Sequence, residues 1–307
     1  MRTPRRLAPA LLTAGLFVTA AGPARAAEPA TPAVVSPEWL AARLGSGDVF
    51  VVDARTGLRA YLASHVPGAL PLEPSNLRST EGGVPGAMHP LTTVRMLARR
   101  MGVPPGAHVV VLGEESDVDA TYVATALRLS GLPKVSVLDG GFKRWTKEGR
   151  PVTVERSLVA APAAGPSTAP DRTAIVRLDE VRKLAGDGRT VLLDVRPADQ
   201  FAAGRLPGAV NRFWKADLVA EGDGAGSFRP AADVVAEYAA LGISKDRPVV
   251  VYCNTGHQAS EAFYTLRWRL GLPDVRLYAG SWVEWSMTPG TPRETSPAPA
   301  SPTAKAP

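Results

Sequence analysis

Short apolar runs alternate with segments of helical periodicity along most of this 307-residue chain. The runs Val49–Asp53, His108–Leu112 and Val135–Leu138 have the length and the β-branched content of buried strands. Between them, Leu91–Arg100 and Thr121–Ser130 repeat apolar residues at the spacing of an amphipathic helix. This alternation predicts an α/β fold with a mainly parallel sheet flanked by helices.

The pattern occurs twice in the chain. Residues 101–145 match residues 241–285 at a constant offset of 140, so that Trp145 stands opposite Trp285. A register kept over most of a half-chain indicates two copies of one structural unit, each about the size of an ordinary domain. The sequence therefore predicts two tandem α/β domains of the same architecture.

Changes in amino-acid composition along the chain indicate where these domains begin and end. We expect the first domain over residues 33–150 and the second over residues 174–288. Residues 151–173 contain a Pro/Ala-rich stretch that is typical of a linker. Residues 289–307 are again rich in Pro and Ala, which predicts a disordered tail.

The first 26 residues have the pattern of a secretory signal peptide. Three arginines precede the apolar run Leu7–Ala21, and Ala24-Arg25-Ala26 has the small residues of a cleavage site. A membrane anchor is the alternative, but the apolar run is short for a membrane span. We therefore expect export to the periplasm or the cell exterior after cleavage near Ala26.

Charge and cysteine content narrow the classes of function. The net charge of +6 comes largely from residues 1–26, which contain four arginines and no acidic residue. The remaining 31 basic and 29 acidic residues nearly balance, which gives no reason to expect a nucleic acid or a membrane as partner. A single cysteine excludes an internal disulfide, and the four histidines show no metal-ligand spacing. We expect a monomer that acts on small molecules and binds no metal.

The single cysteine, Cys253, is the strongest candidate for chemistry. It follows the apolar run Val249–Tyr252 and precedes a polar loop and a helical pattern that begins at Ala259. A thiol at the end of a strand, surrounded by loop amides and facing a helix N-terminus, is expected to have a lowered pKa. The alternative is that Cys253 is a small buried apolar residue.

The two copies differ at this position. Gly113 stands opposite Cys253, and the loop after it, residues 114–119, is acidic. A position that served only packing would carry a small apolar residue in both copies. We therefore expect the first domain to be inactive and the second to be catalytic.

Two motifs resemble signatures of the two-domain rhodanese family, which comprises thiosulfate and 3-mercaptopyruvate sulfurtransferases. One is Tyr61-x-x-x-His65-Val66-Pro67-Gly68-Ala69 in the first domain, and the other is residues 278–285, Tyr-Ala-Gly-Ser-Trp-Val-Glu-Trp, in the second. The resemblance covers roughly residues 35–288.

The resemblance implies a mechanism. The Cys253 thiolate would take a sulfane sulfur from a donor, hold it as a persulfide and pass it to cyanide or a thiol, with no bound cofactor. Arg196 would face the donor's negative charge, although an ion pair with Asp194 is the alternative. The expected substrate-binding residues are Arg196, Asn254, Thr255, Gly256, His257 and Gln258.

The choice of donor stays open in the sequence. Neutral Asn254 and Thr255 favour mercaptopyruvate, whereas export favours thiosulfate, and we expect thiosulfate. Glu73 and His89 are the nearest candidates for residues that assist a mercaptopyruvate donor, but the segment between them matches the family poorly. Two other functions fit part of this pattern: a persulfide carrier or partner-docking module without turnover, and a cysteine-dependent phosphatase on the same fold. The phosphatase is disfavoured because Ala259 stands where such an enzyme needs an arginine.

Overall fold

The computed structural model describes residues 31–296, except residues 160–163, 167, 221 and 223. The predicted signal peptide lies outside the described residues, and its cleavage and the export of the chain stay predictions. None of the helices in the described ranges has the length and hydropathy that crossing a bilayer requires.

The predicted repeat of an α/β unit is confirmed. The first domain contains, in order, β1 (Val34–Val35), α1 (Pro37–Ala41), β2 (Val49–Asp53), α2 (Leu58–Ala63), β3 (Leu70–Pro71), a 3₁₀ helix (Pro74–Leu77), β4 (Arg78–Glu81), β5 (Val84–Met88), α3 (Leu91–Arg100), β6 (His108–Leu112), α4 (Val118–Leu129), β7 (Val135–Leu138) and α5 (Gly141–Lys147).

The second domain repeats this order without the β4–β5 pair. It contains β8 (Ile175–Val176), α6 (Leu178–Leu184), β9 (Val191–Asp194), α7 (Ala198–Ala203), β10 (Val210–Asn211), a 3₁₀ helix (Trp214–Asp217), α8 (Ala231–Ala240), β11 (Val249–Tyr252), α9 (Ala259–Tyr264), a π-helical turn (Thr265–Arg269), β12 (Val275–Tyr278) and α10 (Ser281–Met287).

Each domain is built on a parallel sheet with the same strand order. Within the described residues, the five strands of the first sheet run β1-β7-β6-β2-β3, and those of the second run β8-β12-β11-β9-β10. The central strands β6 and β11 have neighbours on both sides, which explains why their sequences are almost continuously apolar. In a parallel sheet of this kind, ligands bind beyond the carboxyl ends of the strands. Cys253 stands directly at the carboxyl end of β11.

A capping residue moves one helix start away from its predicted place. Helix α4 begins at Val118, three residues before the predicted Thr121, because the Asp117 side chain accepts hydrogen bonds from the backbone N–H groups of Asp119 and Ala120. An aspartate at this position satisfies donors that a helix leaves unpaired in its first turn.

The two domains share one apolar core. Helix α4 packs against α9, and the largest cluster of buried apolar side chains includes Val123 and Leu127 of the first domain with Ala262 and Leu266 of the second. The Tyr264 hydroxyl also donates to the Ala33 carbonyl, at 2.6 Å. This packing fixes the catalytic candidate of one domain against a surface of the other.

Each domain is closed by the segment that follows its last helix. The Trp145 indole N–H donates to the Pro151 carbonyl and the Trp285 indole N–H donates to the Pro292 carbonyl, both at 2.8 Å. Glu294 forms an antiparallel bridge with Arg205. The prediction of a disordered tail from residue 289 is therefore wrong for residues 289–296, while residues 297–307 lie outside the described residues.

We predict that residues 289–296 contribute to stability. Truncation after residue 288 removes the Pro292 carbonyl and the bridge at Glu294, which leaves the buried Trp285 N–H without an acceptor. The free energy of unfolding should fall by about 2 kcal/mol relative to a chain truncated after residue 296. Urea denaturation of the two truncated chains measures the difference. Equal midpoints would show that the segment lies against the domain without stabilising it.

Candidate active site

Cys253 lies at the end of β11, and the backbone around it is held by the first two residues of α10. Its backbone N–H donates to the Ser281 hydroxyl at 3.2 Å, and that hydroxyl donates to the Tyr278 carbonyl at 2.8 Å. The Cys253 carbonyl accepts from the Trp282 N–H at 3.0 Å. The side chain is 1% exposed. These contacts fix the direction in which the thiol points.

Backbone amides converge on the sulfur atom, as the sequence predicted. The N–H groups of Thr255, Gly256, Gln258 and Ala259 form hydrogen bonds to the Cys253 side chain and favour its anionic form. Burial opposes them and is the larger effect, so the pKa of the Cys253 thiol is raised above its ordinary value. The predicted lowering of this pKa is therefore wrong, because the shared core of the two domains removes the thiol from water.

Two residues with positive φ make this loop possible. Gly256 has a φ of 78°, and a Cβ there would lie 2.6 Å from the Ala279 carbonyl oxygen, so the close approach requires glycine. Ser281 has a φ of 52° and is the non-glycine residue with positive φ in the described part of the chain. Its hydroxyl, which joins Cys253 to Tyr278, offsets the cost of that conformation.

The polar side chains of the loop make separate contacts. The Asn254 amide donates to Gln200 at 2.8 Å, on the exposed side of the loop. The Thr255 hydroxyl accepts at 2.7 Å from the guanidinium of Arg78, which belongs to the first domain. The buried side-chain oxygen of Gln258 has no hydrogen-bond partner.

His257 connects the loop to the acidic segment of the first domain. Its Nε2 lies 2.9 Å from Oδ1 of Asp119, and the Thr56 hydroxyl donates to the other oxygen of the same carboxylate at 2.8 Å. Burial works against ionisation of Asp119, but the contacts with His257 and Thr56 outweigh it and lower its pKa. The acidic segment of residues 114–119 is thus part of the domain interface.

Tyr122 of α4 forms a wall beside this loop. Its ring lies 5.2 Å from the His257 ring in a T-shaped arrangement, and the Arg78 guanidinium lies 5.6 Å from the ring centre. Next to it, the Thr121 hydroxyl is 3.1 Å from the Ser260 hydroxyl of α9. The first domain therefore supplies one side of the Cys253 site.

The equivalent loop of the first domain holds an anion of its own. The Asp117 carboxylate accepts hydrogen bonds from the backbone N–H groups of Glu115, Asp119 and Ala120. A Cβ added at Gly113 would collide with this carboxylate. The first loop therefore has neither a nucleophile nor room for one, which supports the expectation that the first domain is inactive.

The structure places Arg196 in an ion pair with Asp194, which was the alternative to a role in donor binding. The guanidinium is 2% exposed and donates to the Asp194 carboxylate and to the Gly204 carbonyl, both at 2.6 Å. Arg55 makes the same contacts with Asp53 and the Ser64 carbonyl in the first domain, where there is no thiol. Because both domains keep the arrangement, it fixes the end of a strand, and the geometry does not place Arg196 against a donor.

The two uncertain acidic and basic candidates lie in other contacts. The Glu73 carboxylate accepts from the Gly57 N–H at 3.0 Å. His89 lines a separate cavity of about 670 Å³ with Arg172 and Glu180. In the described ranges, no group of three His, Cys, Asp or Glu side chains is placed to hold a metal ion.

Comparison with known proteins gives the same architecture. The protein-family model for the rhodanese-like domain matches residues 36–148 and residues 177–288. The chain is 31% identical over 274 residues to the thiosulfate sulfurtransferase of Azotobacter vinelandii, an alignment that covers 86% of this chain and 97% of that one.

Two further proteins are similar over most of their length. The sulfur carrier protein TtuD of Thermus thermophilus is 28% identical over 281 residues, which cover 84% of this chain and 95% of that protein. The crystal structure of the 3-mercaptopyruvate sulfotransferase SseA from Escherichia coli matches with a TM-score of 0.72 and 26% identity, covering 82% of this chain and 99% of that one.

We predict that alkylation of Cys253 by iodoacetamide follows a pH profile with a midpoint above the ordinary thiol value of about 8.5. Burial raises the pKa of the thiol, so the reactive thiolate forms as the pH rises through that higher value. Mass spectrometry follows the reaction, and Cys253→Ser is the unreactive control. A midpoint below about 8.5 would show that the loop amides outweigh burial.

We predict that Asp117 makes the protein less stable at neutral pH than at mildly acidic pH. Burial raises its pKa from 3.8 to about 6, so the folded state binds a proton that the unfolded state has released between these values. Stability is therefore lost as the pH rises through this window. Asp117→Asn keeps the helix cap, and its free energy of unfolding relative to wild type should increase by about 2 kcal/mol between pH 4.5 and pH 7.5.

Asp119→Asn is the matched control for this experiment, because the pKa of Asp119 is lowered rather than raised. A lowered pKa gives stability that is present at neutral pH and lost on acidification, so this variant should instead be destabilised at pH 7.5. Parallel pH profiles for the two variants would contradict the assignment.

Proposed function

The chain belongs to the two-domain rhodanese family of sulfurtransferases, and from that premise we propose that it transfers a sulfane sulfur from thiosulfate to a thiophilic acceptor through a persulfide on Cys253. The observation that carries the proposal is the set of amides from Thr255 to Ala259 that point at the Cys253 sulfur. Converging N–H groups of this kind stabilise a sulfur anion, which is present before, during and after each transfer.

The first half-reaction loads the cysteine. The Cys253 thiolate attacks the outer sulfur of thiosulfate, a bond forms between the two sulfur atoms, and the sulfur–sulfur bond of the donor breaks. Sulfite leaves with the electrons of that bond. One thiolate and one dianion thereby give a persulfide anion and a sulfite dianion, so charge and atoms balance without an oxidant.

The second half-reaction removes the sulfur from Cys253. Cyanide or a thiolate attacks the outer sulfur of the persulfide, and the Cys253 thiolate leaves with the electrons of the broken bond. The same amides that held the persulfide then hold the thiolate, so the loop needs no rearrangement between the two halves. Asn254 and His257 lie on the rim of this loop, in contact with Gln200 and Asp119.

The choice of thiosulfate over 3-mercaptopyruvate has two supports. A thiosulfate sulfurtransferase is among the relatives that match nearly the full chain. An enzyme directed outside the cytoplasm by residues 1–26 would also meet thiosulfate more readily than a metabolic intermediate. The neutral side chains of Asn254 and Thr255 favour 3-mercaptopyruvate, and the similarity to SseA keeps that donor as the second candidate.

A sulfur carrier without turnover is the other candidate, and the similarity to TtuD favours it. A carrier and an enzyme need the same persulfide on the same loop, so the loop geometry suits both. They differ in the rate at which a small acceptor removes the sulfur.

We predict that thiosulfate adds the mass of one sulfur atom to the wild-type chain and none to Cys253→Ser. With cyanide as acceptor, kcat/KM for thiosulfate should exceed that for 3-mercaptopyruvate by at least about tenfold, which corresponds to about 1.4 kcal/mol of transition-state binding. A ratio in the opposite direction would identify the second donor. Persulfide formation without steady release of thiocyanate would identify a carrier, and a sulfur adduct on the Cys253→Ser chain would overturn the mechanism.

A further inference from the structure

The cation at the catalytic loop comes from the other domain. Arg78 is the first residue of the antiparallel β4–β5 hairpin, and at the equivalent place the second domain has the antiparallel bridge Leu218–Phe228, with Leu218 in the position of Arg78. Its Nη2 donates to the hydroxyl and to the carbonyl of Thr255, at 2.7 and 3.2 Å. Its Nε donates to the Gly86 carbonyl at 3.0 Å.

All of these partners are neutral. Within the described residues, no carboxylate forms an ion pair with Arg78, whereas Arg55, Arg196 and Arg212 each pair with an aspartate. A guanidinium that is half-buried and held in place by neutral partners alone is suited to bind an anionic group bidentately.

Gly86, which lies opposite Arg78, makes room for the guanidinium. A Cβ added at Gly86 would lie within 3.2 Å of the guanidinium carbon and would collide with Nη2. Gly86 has a φ of 70°, which also favours glycine. The hairpin therefore leaves room for the guanidinium beside the Gly86 backbone.

Tyr122 contributes an unused hydrogen-bond donor beside this cation. The residue is 1% exposed, and its hydroxyl is buried without a hydrogen-bond partner. Burial raises the pKa of Tyr122, so the hydroxyl is neutral and retains its proton. The charge of a Cys253 thiolate raises this pKa further and the charge of Arg78 lowers it, which places the hydroxyl within electrostatic reach of both groups.

A cavity opens from the surface beside Arg78. It has a volume of about 440 Å³, and its walls include Thr56, Arg78, Gly86 and His257. A small oxyanion that enters this cavity meets the Arg78 guanidinium and the His257 side chain. A buried donor without a partner is unfavourable, and a ligand that accepts its hydrogen bond removes that cost.

We propose that Arg78 and Tyr122, both from the domain that has no thiol, form the donor-binding wall of the Cys253 site. Arg78 binds the anionic group of the donor, and the Tyr122 hydroxyl donates a hydrogen bond to the sulfur that is transferred, which carries a formal negative charge both in thiosulfate and in the persulfide anion. The assignment of the sulfur rests on the proposed function, while the assignment of Arg78 as an anion contact does not.

A pair of alkylating agents tests Arg78 without using sulfur transfer. Iodoacetate carries a carboxylate and iodoacetamide is its neutral counterpart, so the ratio of their rates on Cys253 measures the effect of a nearby cation. Arg78→Gln should slow iodoacetate about tenfold and change iodoacetamide by less than about twofold. Arg78→Lys should retain part of the preference, and the exposed Arg43→Gln is the matched control.

Steady-state kinetics with thiosulfate tests the two residues together. Arg78→Gln should lower kcat/KM by about 10- to 100-fold, mainly through KM, because a charge-assisted contact is lost in both ground and transition states. Tyr122→Phe should lower kcat for sulfur loading by about 3- to 10-fold with KM nearly unchanged.

The outcomes separate this inference from the proposed function. Equal slowing of iodoacetate and iodoacetamide in Arg78→Gln would show that Arg78 only holds the loop, and would overturn its assignment. Unchanged kcat in Tyr122→Phe would overturn the role of the hydroxyl. A wild-type chain that shows the Arg78-dependent preference for iodoacetate but does not turn over thiosulfate would refute the proposed donor while supporting the anion contact.

Discussion

Backbone N–H groups that converge on one point need an acceptor there, and both domains are organised by that requirement. A turn that closes the central strand of a parallel sheet and starts a helix aims several amides inward. The same turn lies in the interface with the other domain, which keeps part of it from water. In the second domain the Cys253 sulfur fills the position, and in the first domain the Asp117 carboxylate does. The difference between a catalytic and a non-catalytic copy is therefore which residue supplies the acceptor.

The interface extends this relation across the two copies. The Ser116 N–H of the first loop donates to the Gly226 carbonyl of the second domain, while Thr255 of the second loop accepts from Arg78 of the first. Each domain thus contacts the loop of the other through the segment that follows its 3₁₀ helix. The partner on one side is a neutral carbonyl, and the partner on the other is a guanidinium beside a tyrosine. The domain without a thiol therefore supplies a cation to the loop of the domain that has one.

Most of the fold and the centre of the site could be predicted from the sequence. The apolar runs at Val49–Asp53 and His108–Leu112 are strands with the predicted bounds, and the offset of 140 residues identified the repeat. Cys253 could be identified because it is the single cysteine and its counterpart is Gly113. The bounds of α4 could not, because they depend on the side chain of Asp117, and the order of residues 289–296 depends on contacts with Arg205 and Trp285.

The sequence did not reveal which residues of the first domain line the Cys253 site, and the reason is physical. Arg78, Asp119 and Tyr122 lie far from Cys253 in sequence and reach it through the packing of α4 on α9, which no local pattern encodes. The direction of the Cys253 pKa shift was predicted wrongly for the same reason. The amides are local in sequence, but burial is a property of the assembled pair of domains. One signal was present in the sequence: the acidic segment stood at the position equivalent to the catalytic loop.

The carboxylate of Asp117 makes the inactivity of the first domain hard to reverse. A cysteine introduced at Gly113 collides with that carboxylate, which three amides hold in place. Replacing Asp117 first by a residue without an acceptor leaves those amides unpaired and removes the cap of α4. Neither single step is tolerated well, so a second catalytic centre requires both positions to change together. In evolutionary terms, the two sites are epistatic, and the asymmetry of a duplicated protein is protected by an ordinary helix cap.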